Sequence, residues 1–170
     1  IKQRRLARAD STVTVLPLYI QGEMLKTVAQ KTIQTFFNRA GKELDLHTVS
    51  PIQLAQHVTS DHQYGKRPIE EVIRKWALMD SIRWVIACQV TQKDSIIQFA
   101  CALVDGFSEF PIPIRFDTDA DRAGEDFMKN VGDVYHNFGE HRRNAMIKGM
   151  QKKWMLQRKN VIGRHLPGIE

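Results

Sequence analysis

The densest run of side chains able to do chemistry is Asp117-Thr-Asp119-Ala-Asp121-Arg-Ala-Gly124-Glu125-Asp126. Carboxylates on alternate residues can converge on a divalent cation, because hard cations take several oxygen ligands at once. Acids at the first, third and fifth places match the opening of a calcium-loop pattern. That pattern also wants Gly at the sixth place and Glu at the twelfth, and here those places hold Arg122 and Met128. The bland alternative is an acidic helix start. Thr118 with Asp121 makes a capping box, and Asp119 complements the helix dipole without any ligand.

The same cluster resembles the DxD…GE element of Toprim metal sites, in which carboxylates hold Mg²⁺ beside a phosphate. That family also needs a Glu after an earlier core strand, and Glu23 is the one tolerable candidate. The histidines, His47, His57, His62, His136, His141 and His165, form no HExxH or i,i+4 pair, so surface roles outweigh ligation. There is no P-loop, dinucleotide Gly fingerprint or GxSxG elbow, and no cofactor signature. Cys88 and Cys101 belong to no CxxC pair. If a hairpin turns at Lys93-Asp94, Cys88 faces Phe99 and Cys101 sits one diagonal step away. That is usually too far for a relaxed disulfide, so both read as buried thiols.

The other chemically distinctive feature is the basic C-terminal region. Residues 141–170 carry Arg142, Arg143, Lys148, Lys152, Lys153, Arg158, Lys159 and Arg164 against Glu170 alone, a net +7. Residues 1–10 are +3, which leaves the 11–140 body at −4 within a chain of +6. Basic ends can bind nucleic acid, an anionic membrane surface or an acidic protein; solvated helix faces are the alternative. Trp154 sits among these charges with Met146 and Met150 at i,i+4 spacing. The candidate partner-binding set is therefore Arg142, Arg143, Lys148, Lys152, Lys153, Trp154, Arg158 and Lys159.

These residues must be held by something. Two apolar runs, Ile82–Val90 and Ile96–Val104, flank the polar turn Thr91–Ser95. Both are rich in β-branched and aromatic residues and lack Pro and Gly, which predicts a central hairpin. The first run is almost continuously apolar, as in a strand covered on both faces. Thr12–Ile20 predicts a strand with Pro17 at a bend or end. A helix follows from Glu23, with Met24, Val28, Ile33, Phe36 and Phe37 on one face and Gly41 as its C-cap. Leu44–Val49 predicts a second strand. Ser50-Pro51 opens a helix as N-cap and first residue, with Gln53 completing a capping box. Residues 59–67 read as a polar loop, and Pro68 starts a helix over Ile69–Met79. Phe107–Phe116 is extended, and Pro111 and Pro113 keep it from a central place in a sheet. Phe127, Val131, Val134 and Phe138 form a packing stripe. The expectation is an α/β (α+β) fold, a mixed sheet with a central β-hairpin flanked by helices, plus a long C-terminal basic helical extension. The divisions are a basic lead-in over 1–10, the α/β domain over 11–117, the helical extension over 118–160 and an irregular tail over 161–170. Thr118–Phe138 should pack on the domain, while Gly139–Asn160 leans away toward an acidic partner or a neighbouring copy.

The order of elements and several residues resemble the N-terminal domain of the periplasmic protein TolB and its relatives in the curli secretion lipoprotein and in polar-flagellar T-ring proteins. The matching stretches are Val13-Thr-Val-Leu-Pro-Leu18, the helix from Met24 to Phe37, and Val49-Ser-Pro-Ile-Gln-Leu54. They continue through Trp76-Ala-Leu-Met-Asp80, Trp84-Val-Ile-Ala-Cys-Gln-Val90 and Leu103-Val-Asp105. The resemblance covers about residues 11–106 and leaves the basic end outside it. It implies a non-enzymatic domain that scaffolds envelope assemblies, periplasmic or outer-membrane-associated, with no catalytic residues. The alternative is a nucleic-acid-binding protein, with or without a Toprim-like Mg²⁺ site at Asp117–Asp126.

Overall fold

A computed structural model describes residues 11–165, with side chains through Arg158. The basic lead-in at 1–10 and residues 166–170 lie outside the described residues. The elements run β1 (Thr12–Ile20), α1 (Gly22–Glu43), β2 (His47–Thr48), α2 (Ile52–Ser60), α3 (Ile69–Met79), β3 (Trp84–Lys93), β4 (Ile96–Asp105), β5 (Ile112–Thr118), α4 (Ala123–His136) and α5 (Phe138–His165). The strands make one sheet in the order β2-β1-β3-β4-β5. β2, β1 and β3 are parallel, while β4 runs antiparallel to both β3 and β5. This is the expected mixed sheet with a central hairpin.

Both faces are covered, and strand alternation sorts the side chains between them. Val13, Val15, Trp84, Ile86, Cys88, Val90, Ile97, Phe99, Cys101 and Leu103 face α1 and α4, which supply Leu25, Ala29, Phe36, Phe127 and Val131. Leu16, Val85, Ala87 and Val104 face α2 and α3, which supply Leu54, Val58, Val72, Ile73 and Ala77. A strand buried on both sides must be apolar at almost every position, which is why β3 reads as a near-continuous run.

Several local expectations need correction. The hairpin turn is two residues, Asp94-Ser95. The ladder continues through Gln92↔Ile97 and Lys93↔Ile96, so Cys88 lies opposite Cys101 rather than Phe99. Asp94 takes φ +56° there, a conformation Asp tolerates better than most side chains. Gly41 does not end α1. The helix runs to Glu43, Leu44 and Leu46 both donate to the Ala40 carbonyl, and Asp45 at φ +53° makes the reversal. That reversal consumes most of the expected second strand, leaving only His47 and Thr48 paired. The buried stripe of α1 is Leu25, Ala29, Thr32, Phe36 and Ala40, with Met24 exposed. Pro51 occupies the N-cap of α2, and the Ser50–Gln53 box does not form. The last helix continues to His165, so the first half of the expected irregular tail is helical. β1 carries a bulge at Leu18, between Pro17↔Cys88 and Tyr19↔Gln89. β5 is an edge strand, as Pro113 requires.

Candidate functional site

The acidic cluster comes apart on inspection. Asp119 Oδ1 accepts from the amides of Asp121 and Arg122 at 3.0 Å each, and its Oδ2 pairs with Arg122 Nε at 3.0 Å. Those bonds, to the Arg122 amide first, hold its carboxyl below the usual range. Asp119 thus closes the turn ahead of α4, whose N-cap is Arg122, and the expected Thr118–Asp121 box does not form. Thr118 instead donates to Asp126 Oδ2 at 2.7 Å. Glu125 reaches across to Arg39 on α1. Glu23, at the far end of β1, pairs with Lys26 at 2.8 Å. β1 and β5 are three strand positions apart, roughly 14 Å at the usual spacing. The Toprim constellation is not brought together, and no group of three potential ligands forms among the described residues. The groove between α1 and α4 is charged, but Arg39 serves both Glu43 and Glu125 on its wall.

The basic residues do come together, because they all lie on one helix. α5 leaves the domain at Phe138, whose ring meets Trp84 edge-on at 5.0 Å and 77°. Its inner side then runs past the β4–β5 loop. Gly149 seats the Phe110 ring so closely that a Cβ there would run into it. Lys153 Nζ pairs with Glu109 Oε2 at 2.6 Å and lies 5.3 Å above the Phe110 ring. Lys153 holds the Glu109 carboxyl below its ordinary value through that hydrogen bond. The expectation that everything after Gly139 leans away is therefore corrected: α5 is pinned to the domain as far as Lys153. Arg142 is half-buried over Phe138.

The flank of α5 beside this docked edge is bare. Met146, Met150 and Trp154 fall at i, i+4 and i+8, a spacing that puts them in one row, with Ile147 beside it. Met150 is 58% and Trp154 60% exposed. Arg143 and Arg158 stand at the two ends of the row, Arg158 5.3 Å over the Trp154 ring. Lys148 and Lys152 are exposed beside Met155 and Leu156, with which they line a shallow hollow. Arg143, Lys148, Lys152 and Arg158 make no ion pair among the described residues, whereas Lys153 does. The side chain of Lys159 lies outside the described residues.

A second polar centre went unread in the sequence. Asp61, just past α2, has its carboxylate buried with three donors: Gln63 N at 2.7 Å, Lys75 Nζ at 2.8 Å and Trp76 Nε1 at 2.7 Å. His57 stacks on Trp76 at 4.5 Å and bonds Asp80 Oδ2 at 2.9 Å. The centre ties α2 to α3. The one signal available was Trp76, since a packed indole N–H needs an acceptor. The Lys75 hydrogen bond first, then the Gln63 amide and Trp76, hold the Asp61 carboxyl well below the usual range. A carboxyl so depressed contributes stability that is full above its unfolded pKa of about 3.9 and lost as pH falls toward the folded value. Asp61→Asn should therefore lower the urea midpoint at pH 7, and the gap from the parent should shrink by pH 3. A gap independent of pH would show that a neutral amide and the carboxylate differ only in packing.

No helix among the described residues is long and apolar enough to cross a membrane. No protein-family model matches the chain, and no curated protein does. Among solved structures, the LpoB C-terminal domain from Salmonella enterica is similar over 69% of this chain and 91% of that domain, with 14% sequence identity and a TM-score of 0.46. A likeness at that level carries no statement about what this chain does.

Proposed function

We propose that the chain is a non-enzymatic structural or scaffolding component of a bacterial cell-envelope assembly, of the secretion or flagellar type. It would be periplasmic or outer-membrane-associated and act through protein–protein contacts made by α5. The family part of this reading is supported by the TolB-like stretches in β1, α1, α3 and β3. The contact surface is supported by one observation: the row Met146, Met150 and Trp154 stands in water on a helix whose adjacent edge is already docked. Large apolar side chains left in water forgo roughly 1.5–3 kcal/mol each. Arg143 and Arg158, which border the row, have no carboxylate of their own among the described residues. The partner this fits is a protein with an apolar groove rimmed by acids.

A photo-crosslinking residue placed at Trp154 of the full chain in cells tests the reading, with Tyr64 on the α2–α3 side as control position. The expected result is one discrete protein adduct from position 154. Its yield should fall by more than roughly tenfold with Arg143→Glu and Arg158→Glu, because facing like charges cost several kcal/mol. Binding of the purified chain to duplex DNA or RNA at about 50 mM salt, with the steep salt dependence of phosphate contacts, would replace this reading with the nucleic-acid one. Flotation with anionic vesicles and no protein adduct would replace it with a membrane-surface role.

A further inference from the structure

The two cysteines occupy a special place in the ladder. Gly106 N donates to Arg83 O at 3.2 Å just outside the β3–β4 pairing, so Arg83 and Gly106 form a hydrogen-bonded pair. Antiparallel pairs alternate between hydrogen-bonded and non-hydrogen-bonded kinds. Counting inward from Arg83 opposite Gly106, Cys88 opposite Cys101 falls on the non-hydrogen-bonded kind. Counting from the other end agrees, because Lys93 and Ile96 close the two-residue turn as a hydrogen-bonded pair. Non-hydrogen-bonded partners have Cα atoms about 4.5 Å apart, inside the range that a disulfide spans. The two thiols point to the same face, into the core under α1 and α4, and are 2% and 4% exposed. Both are free, and Cys88 Sγ donates to the Ile86 carbonyl at 3.9 Å.

We propose that Cys88 and Cys101 are a disulfide-forming pair that joins the two central strands across the core when the folding chain meets a disulfide-bearing oxidant. One cysteine thiolate attacks the oxidant's S–S bond, forms a mixed disulfide and releases one oxidant thiol. The second thiolate attacks the mixed disulfide at the first cysteine's sulfur and releases the other. Two protons leave the cysteines, and the two electrons pass to the oxidant, which ends as two thiols. In the finished fold, burial pushes the Cys88 thiol far up and disfavours the thiolate, which is the attacking form. Exchange therefore belongs to the stage before α1 and α4 close over the sheet, and the same burial then shields the bond from reductants. None of this depends on the envelope reading.

The full chain, refolded from denaturant in oxidised glutathione and alkylated after renewed denaturation, decides the matter. Trypsin cleaves after Arg83, Lys93 and Arg115, so the cysteines leave in separate peptides, 84–93 and 94–115. The expected result is a linked peptide pair from a monomer with native near-UV circular dichroism. Its unfolding equilibrium constant should be roughly a hundredfold below that of the reduced chain, the effect usual for a loop this short. The Cys88→Ala/Cys101→Ala chain should lose all dependence of its unfolding midpoint on redox buffer. Recovery of both peptides singly alkylated after refolding in oxidant, or a linked form without native circular dichroism, overturns the proposal.

Discussion

Phe127→Ala is expected to lower unfolding stability by about 3–5 kcal/mol, as for large aromatic truncations in packed cores. Phe127 is fully buried and is where three other elements meet α4. Its ring lies 5.5 Å from Phe36 of α1 at 83°, 6.1 Å from Phe99 of β4 and 6.2 Å from Phe116 of β5. Phe99 and Phe116 are themselves stacked at 5.0 Å, nearly parallel, so the space vacated by Phe127 is walled by rings that cannot easily fold inward. Against a total stability of about 5–15 kcal/mol for a domain, such a loss approaches unfolding. Urea denaturation at constant m reads it directly. A loss below about 1 kcal/mol would mean the three rings collapse into the gap and the site is not a rigid junction.

Asp105→Ala is expected to cost a comparable amount, about 3–5 kcal/mol, by a different route. Asp105 is 5% exposed at the end of β4. Its Oδ1 lies 3.1 Å from Arg83 Nε and accepts from the Phe107 amide at 2.9 Å. Arg83 is held between the rings of Trp84, 4.8 Å away, and Phe107, 4.4 Å away. Removing the carboxylate leaves that guanidinium pinned and uncompensated, which is the expensive way to break a buried pair. Removing both charges is far cheaper, so Arg83→Met combined with Asp105→Ala should recover most of the loss in a double-mutant cycle. The phenol of Tyr135 is raised by burial and then by the charge of Asp105, so its titration should ease downward in both Asp105 variants. Additive single-variant costs would show that Arg83 swings out to water and the pair is not a unit.

The layers and the central hairpin were legible where residues speak for themselves. Val85 and Ala87 lie opposite Ile86 and Cys88 on a strand covered twice, and that leaves a continuous apolar run. Pro113 can only sit on an edge. Failures arose where a polar residue had two uses. Thr91, Gln92 and Lys93 look like a turn by polarity, yet they continue the ladder at its exposed end. Misreading them moved the register by two and put Cys101 on a diagonal from Cys88. The face of α1 turned on a choice between Met24 and Leu25, which only the tertiary contacts of Leu25 settle. At the candidate site, the cations and Trp154 were plain, but which of them are already engaged was not. Lys153 meets Glu109 across 44 positions, and Gly149 matters only because Phe110 comes to rest on it. Asp61 likewise finds its side-chain donors 14 and 15 residues later. No periodicity encodes such meetings.

The two sides of the sheet also differ in how long they must wait for each other. β3 meets β4 through a two-residue turn, and their farthest partners, Trp84 and Asp105, are 21 positions apart. β1 meets β3 only when Val13 finds Trp84, 71 positions on. Loop-closure entropy adds just ~1 kcal/mol for that difference, so the thermodynamic penalty is small. The delay is not. On a chain emerging at about 5–20 residues per second, β1 exists for roughly 4–14 s before β3, its main partner, does. An unpaired apolar strand is an invitation to pair with the wrong neighbour. Pro17, in the middle of β1, removes one amide donor from that strand for the whole of the interval. A residue that looks like a flaw in the finished sheet is a safeguard during its assembly.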